Sequence, residues 1–259
     1  FVVIFAKNTN NNFIIPVLIA SIIPIINFLL VFFYLPETKP NSDSNKSKPF
    51  IKNPLKNLFT VFKEEKIKKL SLAFFIYFIA FTGLTNILIF FLQESLNWTT
   101  KASSGTLVVV GIIAIIVQGG LIGPLVKQFG EMRLTLIGSG FILVACALLI
   151  TAPKENATIN IYSAVSFLAV GAGLITPTLR ALISKKLDID KQGSILSNLQ
   201  GLQSLGGVLG IAMAGRVYDS FGPKSPFIAG SVILLFMIYL IAEGKSNNSF
   251  NNQKSKVLK

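Results

Sequence analysis

Histidine is absent from the chain, and cysteine occurs once, at Cys146. No disulfide can form within the chain and no His- or Cys-rich metal cluster can be built, so neither a metal nor another cofactor is expected. Ser-His-Asp and Cys-His catalysis are excluded as well, which argues against an enzyme. Acids are scarce: 11 Asp and Glu stand against 24 Lys and Arg. Charged residues make up only 14% of the chain, where soluble domains carry about 25%. No GxxxxGK[ST] segment is present, so a nucleotide-driven pump has no support. The chain opens at Phe1 without a basic leader or a cleavage pattern, and reads as a piece whose N-terminal part lies elsewhere.

What the chain has in excess is apolar length: 52% of its 259 residues are hydrophobic. Stretches free of Asp, Glu, Lys and Arg cover 8–36, 70–93, 102–126, 134–153, 156–179, 192–215 and 225–242. A membrane helix needs about 20 mostly apolar residues. The expected spans are therefore 13–35, 71–92, 104–126, 134–152, 160–182, 194–216 and 226–242, an all-α integral membrane protein with seven transmembrane helices. The apolar run at 1–6 reads as the end of an earlier span.

Sorting the basic residues orients these spans. Loops 35–70, 127–133 and 180–193 and the tail 243–259 hold 19 of the 24, and the loops on the other side hold five. By the positive-inside rule the first set faces the cytoplasm, which puts the C-terminus inside. The net charge of +13 then needs no nucleic-acid partner, because loops beside anionic lipid account for it. In loop 36–70, Leu55, Leu58, Phe59, Phe62 and Ile67 recur near helical spacing, which suggests an amphipathic surface helix. The Asn- and Lys-rich tail 243–259 is expected to be disordered.

Every acid lies in a loop or at a span end. A proton-coupling carboxylate at membrane depth is therefore expected only in the missing part. Neutral polar groups do occur at depth. Asn86 lies one turn from Phe90, Gln118 stands in an apolar span, and Gln200, Gln203 and Ser204 form a stripe. These residues, with Thr176 at the edge, are the candidate substrate-binding groups: Asn86, Phe90, Gln118, Thr176, Gln200 and Gln203. Spans 134–152 and 226–242 lack such a stripe and are expected to be lipid-facing supports. Gly119–Gly123 and Gly206–Gly210 carry the GxxxG pattern of close helix packing. Pro177 loosens its helix, and Arg180 reads either as part of a moving segment or as a side chain snorkelling to the near interface.

Three stretches then carry a family resemblance. Leu35-Pro36-Glu37-Thr38 closes the first span. Gly123-Pro124-Leu125-Val126-Lys127-Gln128-Phe129-Gly130-Glu131-Met132-Arg133 joins two spans. Gln192-Gly193 follows Leu187-Asp188-Ile189-Asp190-Lys191. Together they resemble the C-terminal part of a major facilitator superfamily transporter, closest to the drug/proton antiporter branch of multidrug and tetracycline exporters. In that joint the family's acidic position holds Lys127, and the basic one after it holds Gln128.

The resemblance implies helices six to twelve of twelve. Residues 1–35 would end the N-terminal half, 36–70 would be the central cytoplasmic loop, 71–242 a six-helix bundle and 243–259 the tail. It implies gradient-driven efflux of small amphipathic compounds by alternating access, in an inner or plasma membrane. The partners would be membrane lipid, a small-molecule substrate and the missing N-terminal half. Uptake of sugars or other metabolites on the same scaffold is the alternative. A seven-span receptor is a weaker one, because the last span has no Lys for a retinal-type ligand; a non-transporting membrane protein is another.

Overall fold

The computed structural model describes the backbone of residues 14–34, 58–153 and 157–257. Among them every element is helical, as the composition requires: in a bilayer the backbone must satisfy its own hydrogen bonds. The chain divides into two compact units, Phe1–Lys52 and Asn53–Lys259.

The first unit contributes α1, Ile14–Tyr34, with Pro24 inside it. Its 21 residues span about 31 Å at 1.5 Å per residue, the thickness of a hydrocarbon core. Phe28 stacks on Phe32, and Phe33 meets Phe32 edge-on. Charge is absent from α1 on every side.

In the second unit α2, Lys68–Phe90, continues into a π-turn at Phe91–Ser95. One rod follows: α3, Thr100–Ile116, a second π-turn at Val117–Leu121, and α4, Ile122–Phe129. Then come α5, Glu131–Ile150, α6, Thr158–Ser184, α7, Ile189–Phe221, and α8, Ser225–Val257. Gly130 and Gly222, at φ of 76° and 90°, make the reversals before α5 and α8, where a side chain would be strained.

In the second unit, among the described residues, five stretches are long and apolar enough to cross a membrane: Lys68–Ser95, Thr100–Phe129, Glu131–Ile150, Thr158–Ser184 and Ser225–Glu243. The expected span 194–216 is present inside α7 but is less apolar. Ser194, Ser197, Asn198, Gln200, Gln203 and Ser204 interrupt it. The helical backbone of α8 runs on to Val257, where the sequence suggests a disordered tail. Extending an established helix costs far less than starting one.

Packing follows pairs. α5 lies along α6, α2 along α7 and α8, and α3 leans on α6. Two crossings are glycine-lined. A Cβ on Gly83 would stand 2.8 Å from the Gly210 carbonyl oxygen, and one on Gly138 would stand 2.9 Å from that of Gly171. The small face expected at Gly206–Gly210 is thus a packed α2–α7 contact. The matching face at Gly119–Gly123 is not, because a Cβ on Gly119, Gly120 or Gly123 would meet nothing within 4 Å. The expected division into lining and supporting helices also shifts. α5 is extensively covered, with Thr135 bonded to Thr178 at 2.9 Å in the α5–α6 interface, and it is the Thr100–Phe129 rod that this unit covers least.

The predicted surface helix ahead of α2 lies partly outside the described residues, which resume at residue 58. Leu55 lies outside the described residues. Phe59–Phe62 form a 3-10 turn, and Val61 and Ile67 are buried in the bundle core. Apolar side chains that find a bundle groove have no need of the membrane surface. Asn198 donates to Thr60 at 3.1 Å, and Lys191 pairs with Glu64, which ties this segment to α7.

Candidate functional site

The polar side chains of α6 and α7 meet beside α2. Arg180 donates from Nη2 to Oε1 of Gln200 at 2.7 Å and to Oε1 of Gln203 at 2.5 Å. Its guanidinium carbon stands 5.9 Å from the ring centre of Phe74, within cation–π reach. One turn earlier on α6, the hydroxyls of Thr176 and Tyr77 are 3.3 Å apart. Tyr77 stacks on Phe81 at 5.5 Å. Two successive rungs therefore join α6 to α2: Arg180 over Phe74, and Thr176 to Tyr77.

The local reason is direction. Side chains on a helix tilt towards its N-terminus. Arg180 lies four residues before the end of α6 at Ser184, about 6 Å. Its stem therefore leads away from that end and into the span. There the guanidinium is held by Gln200 and Gln203 of α7. An Arg at a helix centre costs roughly 2.5–3.5 kcal/mol on insertion scales, an upper bound for one about a turn from the end. Hydrogen bonds to a charged group return about 1.5–3 kcal/mol each, so two amide oxygens suffice to hold it there.

Of the six sequence-derived candidates, three share this cluster: Thr176, Gln200 and Gln203. Gln118 is exposed and lies in the π-turn of the α3–α4 rod. Its Cγ is 3.9 Å from where a Gly173 Cβ would stand, so it flanks α6. Asn86 is exposed and donates to the Thr82 carbonyl of its own helix at 2.9 Å. Phe90 is also exposed. They sit nine and thirteen residues beyond Tyr77, about 14 and 20 Å along α2, and the structure does not bring them into the cluster. Tyr77 and Phe74 escape a sequence reading because phenylalanine surrounds them, and nothing local marks which aromatic faces α6.

Two cavities are formed elsewhere. An apolar one between α2, α7 and α8 is lined by Ile79, Gly83, Met213 and Gly230 among others. A groove of about 440 Å³ lies along α5 and α6, lined by Phe141, Tyr162, Ser163, Ser166, Phe167 and Val170. Neither includes the six candidates. Thr176 and Gln203 are half-buried, and Asn86, Phe90, Gln118 and Gln200 are exposed. Among the described residues no cluster of His, Cys, Asp and Glu could hold a metal.

Residues 8–211 match the family model described as Major Facilitator Superfamily. Hippocampus abundant transcript-like protein 1 of Homo sapiens is 21% identical over 257 residues, 87% of this chain and 49% of its own length. The class D tetracycline resistance protein of Salmonella ordonez is 28% identical over 212 residues, 79% of this chain and 50% of its own. The class C protein of Escherichia coli is 26% identical over 130 residues, 50% of this chain and 32% of its own. The chain thus spans about half the length of the curated relatives it matches. The match over most of its residues and the long apolar helices agree: the chain is a multi-pass membrane protein of the Major Facilitator Superfamily.

Proposed function

We propose that this chain is part of a secondary active transporter that expels small amphipathic compounds by alternating access, driven by an ion gradient. The observation that carries the reading is the half-exposed polar face of Thr176, Gln200 and Gln203 around Arg180, where α6 and α7 meet beside α2. Sites for amphipathic compounds combine apolar walls with a few orienting polar groups, and in such carriers they lie near mid-membrane between two bundles. Asn86, Phe90 and Gln118 would be further substrate contacts outside this cluster. The opposite wall, and the coupling carboxylate, belong to an N-terminal half. Relatives named for tetracycline resistance support outward transport, since a membrane protein protects by keeping a compound out. The membrane is an inner or plasma membrane, with the C-terminus in the cytoplasm.

The test uses energised everted vesicles carrying the full-length protein, with tetracycline or a fluorescent dye supplied outside. Uptake that collapses with an uncoupler is expected. Equal uptake in vesicles lacking the chain refutes export, and accumulation in intact cells in its place makes the protein an importer.

A further inference from the structure

The cluster around Arg180 has spent its acceptors and kept its donors. Both amide oxygens, Gln200 Oε1 and Gln203 Oε1, are turned to Arg180 Nη2, so both amide NH2 groups point away from it. Arg180 Nε is buried with no hydrogen-bond partner. The charge is also uncompensated. Among the described residues the ion pairs are Lys68–Glu65, Lys69–Glu243, Lys185–Glu131 and Lys191–Glu64, and Arg180 is in none of them. A guanidinium drawn into an apolar span, ringed by donors and short of acceptors, lacks an anion.

We propose that Arg180, steadied by Gln200 and Gln203, is the anion-binding element of this site, and that the transported compound carries an acidic group such as a carboxylate or phenolate. The proposal rests on the transporter reading and narrows its substrate class. With both Nη2 hydrogens given to the glutamines, Nη1 and Nε keep the free N–H donors, and Phe74 beneath the guanidinium leaves these in-plane donors as the binding edge. The two glutamines do double duty: their oxygens hold the guanidinium in place, and their NH2 groups supply neutral donors to the same acid. Two other anions fit the chemistry, an acidic side chain from the rest of the protein and a lipid phosphate, and the experiment separates them.

Fluorescein and rhodamine 123 share a xanthene core and differ in charge, one anionic and one cationic. Binding of each to the purified natural chain is read by fluorescence anisotropy in neutral detergent, for the parent, Arg180→Lys and Arg180→Gln. The parent is expected to bind fluorescein at least tenfold more tightly than rhodamine 123. Arg180→Gln should abolish that preference and Arg180→Lys should keep part of it. If Arg180→Gln retains the parent's preference, or if the parent shows none, the proposal fails. It also fails if Arg180→Gln weakens both dyes alike and lowers the melting temperature, since the charge then serves a structural ion pair. Loss of co-purifying anionic lipid with the dye preference unchanged assigns Arg180 to a lipid phosphate and overturns it too. Energised vesicles keep the two readings apart. Arg180-dependent fluorescein binding without transport removes the transporter and leaves the anion site. Rhodamine 123 transport without fluorescein binding does the reverse.

Discussion

Replacing Gly83 by alanine puts a methyl group where α2 and α7 come closest. That Cβ would stand 2.8 Å from the Gly210 carbonyl oxygen and 3.2 Å from the Ala214 Cβ, where ordinary contact begins at 3.4 Å. The first obstacle is backbone, which cannot rotate aside, so the two helices must part by roughly half an ångström, forfeiting contacts along their length. Overpacking of this kind costs about 1–3 kcal/mol, and each kcal/mol lowers the melting temperature of a domain this size by about 2–4 °C. The protein carries its own reporter. Cys146 is the sole cysteine and is buried, so a maleimide dye that fluoresces on reaction records unfolding as temperature rises. Gly215→Ala is the control, because its Cβ would meet nothing within 4 Å. Ala214→Gly should rescue Gly83→Ala only slightly, since it removes the lesser contact. Equal melting of Gly83→Ala and Gly215→Ala would show that α2 and α7 do not cross at these glycines.

Other outcomes follow from particular contacts. Thr178→Val keeps side-chain volume but removes the hydroxyl that meets Thr135 at 2.9 Å and donates to the Leu174 carbonyl; melting should fall by the equivalent of about 1 kcal/mol, and an unchanged curve would deny the buried link. Gln118→Leu removes an exposed amide, so membrane insertion should be intact while dye selectivity or transport rate changes; unchanged transport kinetics would take Gln118 out of the pathway. Cysteines at Lys101 and Lys127, both exposed and about 40 Å apart along one rod, should react with an impermeant maleimide from opposite sides of the membrane. Labelling from the same side would refute the charge-derived topology.

The spans were legible because charge-free length is a one-dimensional property. The Gln200 and Gln203 stripe was legible because both lie on one helix, three residues apart. The environment of Arg180 was not legible for the opposite reason: its partners come from α2 and α7, remote from it in sequence. Glycine spacing was informative without being decisive. Gly206–Gly210 packs on α2, while the equally regular Gly119–Gly123 meets nothing in this unit. The Gly138–Gly171 crossing carries no such spacing at all, since a single small residue on each helix is enough when they meet at one point. Ahead of α2, Val61 and Ile67 are buried in the core, a tertiary contact that periodicity along the segment does not show.

The π-turn at Val117–Leu121 has a genetic consequence. Such a turn closes its hydrogen bonds at i to i+5 and so stores one residue more than an α-helical turn. Deleting a single residue from it would leave a plain α-helix and let both flanks keep their phase, Thr100–Ile116 against α6 on one side and Ile122–Phe129 on the other. Elsewhere in a packed span the same deletion would rotate everything beyond it by about 100° and tear the interface. The rod therefore contains one position at which chain length can change without loss of the fold, and the amide of Gln118 stands at that position. Homologous sequences that differ by one residue here would present a different side chain to the Gly173 side of α6 while conserving every other contact of the span.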